Sequence, residues 1–172
     1  MGCIHIYTGD GKGKTTAAMG LAMRSVGWGK RVLVVQFLKG GITGELATLE
    51  ALEIPVRRNK KDYGFFVALD EPDRKTLLAE QNAMLADAAS YIRKNRYDLV
   101  VLDELICAYN LGAVDRESAD DLVLGGPYET ELVLTGRDVP ASWIEAADYV
   151  TEMTEGKHPY SWGAEARKGI EY

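Results

Sequence analysis

Residues 2–16 read GCIHIYTGDGKGKTT, and this stretch decides the fold. An apolar, β-rich run from Cys3 to Tyr7 feeds a glycine-rich turn that ends in Gly13-Lys14-Thr15. The turn opens onto a helical pattern of Ala17, Ala18, Gly20, Leu21 and Ala22. Strand, loop, helix is the order of a phosphate-binding loop. Gly9, Gly11 and Gly13 let the backbone bend tightly and leave no Cβ between it and a phosphate. The successive N–H groups from Gly9 to Thr16, Asp10 included, then face one concavity, and the helix N-terminus adds the positive end of its dipole. Lys14 supplies a mobile charge for the terminal phosphates, and the Thr15 hydroxyl is placed to ligate Mg²⁺. One position departs from the usual spacing, which puts a glycine five residues before Gly13, where this chain has Thr8. Gly9 comes one residue late, so the loop is a shortened or shifted variant. Lys12 adds a second cation inside it. The plainer reading, a tight strand–helix turn rich in glycine, leaves Lys12, Lys14 and the Thr15-Thr16 pair unexplained.

Working outward, the chain alternates strands and helices. Residues 31–37 (RVLVVQF) and 98–103 (DLVVLD) are apolar runs of the kind that buried parallel strands show, and 131–135 (ELVLT) is a third. Shorter strands are expected at 55–58 and 148–153. Helical spacing predicts helices over 45–52, from an Asp73 cap to about 95, and over 104–111, 116–124 and 140–147. Residues 59–72 form a surface loop with an aromatic centre, and 155–172 form a polar tail. This alternation implies an α/β fold: a P-loop NTPase-like (RecA-like) three-layer sandwich, with a mainly parallel sheet and helices on both faces. The 172 residues are expected to make a single domain, residues 1–172.

Composition narrows the function. The formal net charge is −6, which argues against nucleic-acid binding through bulk charge and leaves only a local basic groove for it. Cys3 and Cys107 sit in apolar contexts and read as buried reduced thiols, which fits a cytoplasmic compartment. No apolar run approaches the roughly 20 residues of a membrane span, and the chain as given opens on its first strand with no signal segment.

Four further stretches carry chemistry. LVVLDE, residues 99–104, is an apolar strand ending in Asp103-Glu104. Ligands of open α/β sheets sit beyond the carboxyl ends of the strands, so these carboxylates face the phosphate loop, and one of them holds Mg²⁺ directly or through water. The alternative is that Asp103 caps the next helix. In LTGRD, residues 134–138, Arg137 offers a bidentate fork to a phosphate, or else lies solvated in a turn. The loop 57–67 joins Arg57, Arg58, Lys60 and Lys61, a solvated face, to Tyr63, Phe65 and Phe66, which suit a flat apolar ligand, a partner surface or the core. In the tail, His158 reads as a surface or capping histidine rather than a base.

The strings GDGKGKTTAA (9–18), VVQFLKG (34–40), VVLDEL (100–105), LVLTGRD (132–138), KHPY (157–160) and ARKGIEY (166–172) together resemble the corrinoid adenosyltransferases, in the right order and over nearly the whole chain. The resemblance implies that a corrinoid reduced to Co(I) attacks C5′ of ATP and expels triphosphate. It implies ATP and the reduced corrinoid as substrates, with Mg²⁺ on Thr15, Asp103 and Glu104. Lys12, Lys14, Thr15 and Glu104 would carry the catalysis. An electron-donor protein and a homodimer are expected with it, and neither nucleic acid nor membrane. Family members commonly have Asn where this chain has Asp10. Their Phe-x-Trp loop aligns Phe65 on the Phe and Val67 on the Trp. Many begin with an extension that helps cover the corrinoid; this chain lacks it or finds that cover elsewhere. Two other functions compete at this level: a small RecA-like ATPase, which would release ADP and phosphate, and a non-catalytic, ATP-gated binding module read out through the aromatic loop.

Overall fold

The computed structural model describes residues 1–171; Tyr172, the end of the ARKGIEY string, lies outside them. The strands are β1 (Ile4–Thr8), β2 (Val32–Gln36), β3 (Val56–Arg58), β4 (Leu99–Asp103), β5 (Glu131–Thr135) and β6 (Tyr149–Glu152). They form one six-stranded sheet in the order β3-β2-β4-β5-β1-β6. All the pairings are parallel. The helices are α1 (Lys14–Gly27), α2 (Glu45–Ala51), α3 (Glu71–Arg93), α4 (Leu105–Asn110), α5 (Arg116–Leu124) and α6 (Ala141–Ala146).

Every residue of β2 and β4 is buried, because helices cover the sheet on both faces and each strand alternates between two apolar layers. Leu33, Val35, Val100 and Leu102 pack with α3, α4, α5 and Trp143 of α6. Val32, Val34, Leu99 and Val101 pack with α1 and with Leu49 of α2. Helix α1 buries Ala18, Met19 and Ala22 against this second layer; the two alanines let its backbone lie close to the sheet. Trp143 is fully buried and its indole N–H donates to Asp120 Oδ1 at 2.8 Å, so its polar atom is satisfied as its rings leave water.

The elements match the sequence expectation within a residue or two, with one correction. Asp73 does not cap α3. Asp70 does, accepting from the Asp73 N–H at 2.9 Å, with Pro72 in the first turn. Proline suits that turn, where no N–H has a helical partner, so the helix starts earlier than its apolar periodicity. His5 is structural, as its place in a strand suggests: Nε2 lies 2.6 Å from Glu131 Oε1 and the ring stacks on Tyr149. No helix among the described residues is long and apolar enough to cross a membrane.

Candidate active site

The sheet order sets β4, β5 and β1 side by side, so the segments leaving their carboxyl ends meet. They are the phosphate loop after Thr8, Glu104 after Asp103, and Gly136-Arg137 after Thr135. Gly9 and Gly13 hold φ of 95° and 118°, which glycine adopts freely. A Cβ on Gly9 would stand 2.5 Å from the Met153 carbonyl oxygen, so the chain leaving β6 also leaves no room there for a side chain. The Gly11 N–H donates to that same carbonyl at 2.6 Å. Lys14 opens α1, and its ammonium donates to the carbonyls of Gly9 and Gly11 at 2.5 and 2.8 Å. The lysine thus folds back over its own loop. Burial first, and then the Arg137 charge, push its pKa down, against the pull of Glu104, Cys107 and Asp10.

Beneath the loop the sheet ends in a polar row. Gln36 is in register with Asp103, and Thr135 follows the Leu134 that pairs with Leu102. All three side chains are buried. Asp103, 0% exposed, is not a helix cap. Its Oδ1 accepts from Thr15 Oγ1 at 2.8 Å and Thr135 Oγ1 at 2.7 Å. Its Oδ2 accepts from Lys39 Nζ at 2.7 Å and Gln36 Nε2 at 3.3 Å. A carboxylate out of water is tolerated because all its lone-pair directions are met.

Glu104 follows in the left-handed region at φ 62°, and its N–H donates to Thr135 Oγ1 at 2.8 Å. For a residue with a side chain this backbone costs about 1–2 kcal/mol. Such strain concentrates at functional sites, where surrounding bonds hold it. Beside it, burial and the Glu104 carboxylate push the Cys107 thiol up to about 12, so it stays a neutral thiol. Gly136 is required because a Cβ there would stand 2.6 Å from the Cβ of Ile106. That close approach carries Arg137 to the loop, where its guanidinium lies 3.5 Å from the Asp10 carboxylate.

These groups line a cavity of about 650 Å³. Asp10, Gly11, Lys12, Gly13, Lys14, Thr15, Thr16, Glu104 and Arg137 all face it, joined by His158, Tyr160, Ser161 and Glu171 of the tail. Gly9 adds its carbonyl to the Lys14 anchor but does not line the space. Phe65 lines none of it: the side chain is 85% exposed in the loop before α3. Of its aromatic neighbours, Phe66 packs on the core, and the Lys61 ammonium sits 4.6 Å above the Tyr63 ring. His158 Nδ1 accepts from the Tyr160 N–H at 3.2 Å, a capping role, and His158 also lines the cavity, whereas Trp162 of the same tail does not. The sequence reading missed Gln36, Lys39 and Thr135. The one available signal was a polar Gln ending the apolar run of β2.

The donors suit a hard divalent cation. Thr15 Oγ1 and Asp103 are oxygens at the helix start, and Glu104 lines the same space. Among the described residues no cluster of three or more His, Cys, Asp or Glu could cage a metal alone. One hydroxyl and a carboxylate, completed by phosphate and water, is how Mg²⁺ is usually held. The cavity also sets Lys12, Lys14 and Arg137 against Asp10, Glu104, Glu155 and Glu171. These cations alone do not balance an added triphosphate, which leaves a clear electrostatic role for a metal.

The profile of the family described as ATP:corrinoid adenosyltransferase BtuR/CobO/CobP matches residues 1–172. The chain belongs to this family. The corrinoid adenosyltransferase of Pseudomonas aeruginosa is 37% identical over 174 residues, covering 99% of this chain and 84% of its own length. That of Escherichia coli K12 is 35% identical, covering 99% of this chain and 86% of its own length. The Salmonella typhimurium relative is 34% identical with the same coverage. In this adenosyltransferase family the resemblance first carried by the six sequence strings therefore extends from end to end of the chain.

Proposed function

We propose that the cavity above the phosphate loop binds ATP and that the chain, a transferase, moves the 5′-deoxyadenosyl group of ATP to the cobalt of a reduced corrinoid. Family membership over residues 1–172 carries this reading, and the loop, Lys14, Thr15 and Asp103 around one cavity support it. The Co(I) electron pair attacks C5′, the Co–C bond forms, the C5′–O bond breaks, and triphosphate leaves with that bond's electrons. Cobalt is the nucleophile, so the protein needs none.

What the residues do is bind and neutralise. The loop N–H groups and the Lys14 ammonium grip the triphosphate, and Lys14 must leave the carbonyls of Gly9 and Gly11 to reach it. Lys12 and Arg137 add charge at the cavity wall. Thr15, Asp103 and Glu104 are the residues that would hold Mg²⁺. When bound, Mg²⁺ polarises and orients the triphosphate. One well-placed donor to the leaving oxyanion is worth about 3 kcal/mol, roughly a hundredfold in rate. Phe65, exposed above this edge, excludes water and axial ligands from cobalt and so eases reduction to the four-coordinate state. A single domain, a homodimer, an electron-donor protein and a cytoplasmic setting complete the proposal, the last supported by free Cys3 and Cys107.

The test is direct. Protein, ATP, Mg²⁺ and chemically reduced cobalamin are mixed, the corrin spectrum is followed, and the phosphate products are separated. Adenosylcobalamin with triphosphate is expected. ADP and phosphate without a spectral change would instead identify an ATPase, and MgATP binding with no product a gated binding module; family membership favours neither.

A further inference from the structure

The Lys39 ammonium sits where a metal ion is expected. It lies 2.7 Å from Asp103 Oδ2 and 3.3 Å from Thr15 Oγ1, and these two side chains are the ones assigned above to Mg²⁺. A divalent cation reaching both must push the lysine away, because two cations cannot share one carboxylate edge at such distances without strong repulsion. The surroundings give the lysine somewhere to go. Its side chain keeps 25% exposure while Asp103 has none. It also lines a second cavity of about 470 Å³, together with Thr43 and Glu45. Two buried oxygens in this region, Gln36 Oε1 and Thr43 Oγ1, have no hydrogen-bond partner among the described residues. Buried polar atoms are almost always paired, so a vacancy on the same Gln36 that touches Asp103 suggests a second arrangement of the cluster. Glu45 already accepts from Gln36 Nε2 at 3.0 Å, which places a second carboxylate within the network.

We propose that Lys39 is the resident cation of the metal site, a positioning residue that holds Asp103 and Thr15 in the metal-free protein and yields to the divalent cation that arrives with the nucleotide. The proposal rests on the reading of Thr15 and Asp103 as metal-holding groups. On release, the ammonium moves toward Glu45 and the unpartnered oxygens, or onto the incoming polyphosphate. The consequence is selective. Free metal gains little, since it must evict a charge already satisfied. Metal carried by ATP brings the anion that compensates the freed lysine. The site therefore refuses the bare ion and accepts the complex.

Mn²⁺ provides the probe, because its paramagnetic resonance signal falls on binding and requires no turnover. Wild type, Lys39→Met, Lys39→Gln and Lys39→Arg are titrated with Mn²⁺, with and without ATP and in the absence of corrinoid. Lys39→Met and Lys39→Gln are expected to bind bare Mn²⁺ about tenfold more tightly than wild type, or better. Lys39→Arg, which restores the charge, is expected to stay near wild type. Bare-Mn²⁺ affinity unchanged in either neutral variant that keeps its circular dichroism would overturn the proposal. If wild type binds MnATP normally in that case, only the role of Lys39 falls. If wild type binds no MnATP, the ATP-site reading falls with it.

Discussion

Two loops lie at the carboxyl edge of this sheet, and they are built in opposite ways. The phosphate loop is tied at each bend: Gly11 to Met153, Lys14 to the carbonyls of Gly9 and Gly11, and Thr15 to buried Asp103. The aromatic loop before α3 holds Phe66 against the core and pairs Lys61 with Asp73 at 2.7 Å. Yet it leaves Phe65 and Val67 85% and 73% exposed. The first is a backbone cradle fixed by these bonds, in which the Lys14 ammonium has to swing off its carbonyls to meet an anion while the rest keeps its shape, so little reorganisation would subtract from charge stabilisation. The second offers apolar surface with nothing yet against it, which suits a large flat substrate that brings its own buried area. On the proposed function, anion grip belongs mainly to the folded chain, and enclosure of the corrin to the complex.

The largest way to break this contrast is Lys14→Ala. Losing this donor to the leaving triphosphate is expected to lower the rate of adenosyl transfer about 100- to 1,000-fold while the circular dichroism stays that of the wild type, since the ammonium caps only the loop's own carbonyls. Calorimetry with MgATP checks the binding half. A loss of folded structure would mean that the loop depends on its lysine rather than the reverse. Phe65→Ala probes the other loop. It is expected to slow the reaction started from cob(II)alamin about ten- to a hundredfold, the equivalent of about 1.5–3 kcal/mol for one buried aromatic side chain. MgATP affinity should not move, because Phe65 lines neither cavity near the loop. An unchanged rate from cob(II)alamin would remove Phe65 from the mechanism.

The same contrast explains what could be read from the sequence. The phosphate loop was legible because its chemistry is local: glycines, lysine and threonine are consecutive, and their spacing states the backbone they need. The layers were legible from RVLVVQF and DLVVLD, whose unbroken apolar character admits only strands covered on both sides. What binds Asp103 was not legible. Thr15, the Gln36–Lys39 stretch and Thr135 come from three separate segments, which meet at Asp103 because the sheet sets β2 and β5 on either side of β4. The tail was legible only in part: a histidine in it can flank a site, as His158 does, but its polar composition gives no sign that Tyr160, Ser161 and Glu171 line the cavity too. The start of α3 was misplaced because periodicity reports where a helix becomes apolar, whereas Asp70 and Pro72 report where it begins.

The smallest expected effect compares one glycine from each loop. Gly9 and Gly64 both hold positive φ, 95° and 70°, so alanine at either site suffers the same kind of backbone strain, about 1–2 kcal/mol. The surroundings differ. A Cβ on Gly9 would stand 2.5 Å from the Met153 carbonyl oxygen, whereas one on Gly64 would have nothing within 4 Å among the described residues. Gly9→Ala must therefore also push back the chain leaving β6, and overpacking of this kind adds about 1–3 kcal/mol. Thermal melts of the two variants are expected to differ by at least about 2–4 °C, the shift that about 1 kcal/mol produces in a domain of this size. Gly64→Ala should be the more stable. Equal melting temperatures would mean that the phosphate loop can shift away from Met153 at little cost, and its shape in the free protein would then rest on the bonds of Lys14 and Thr15 alone.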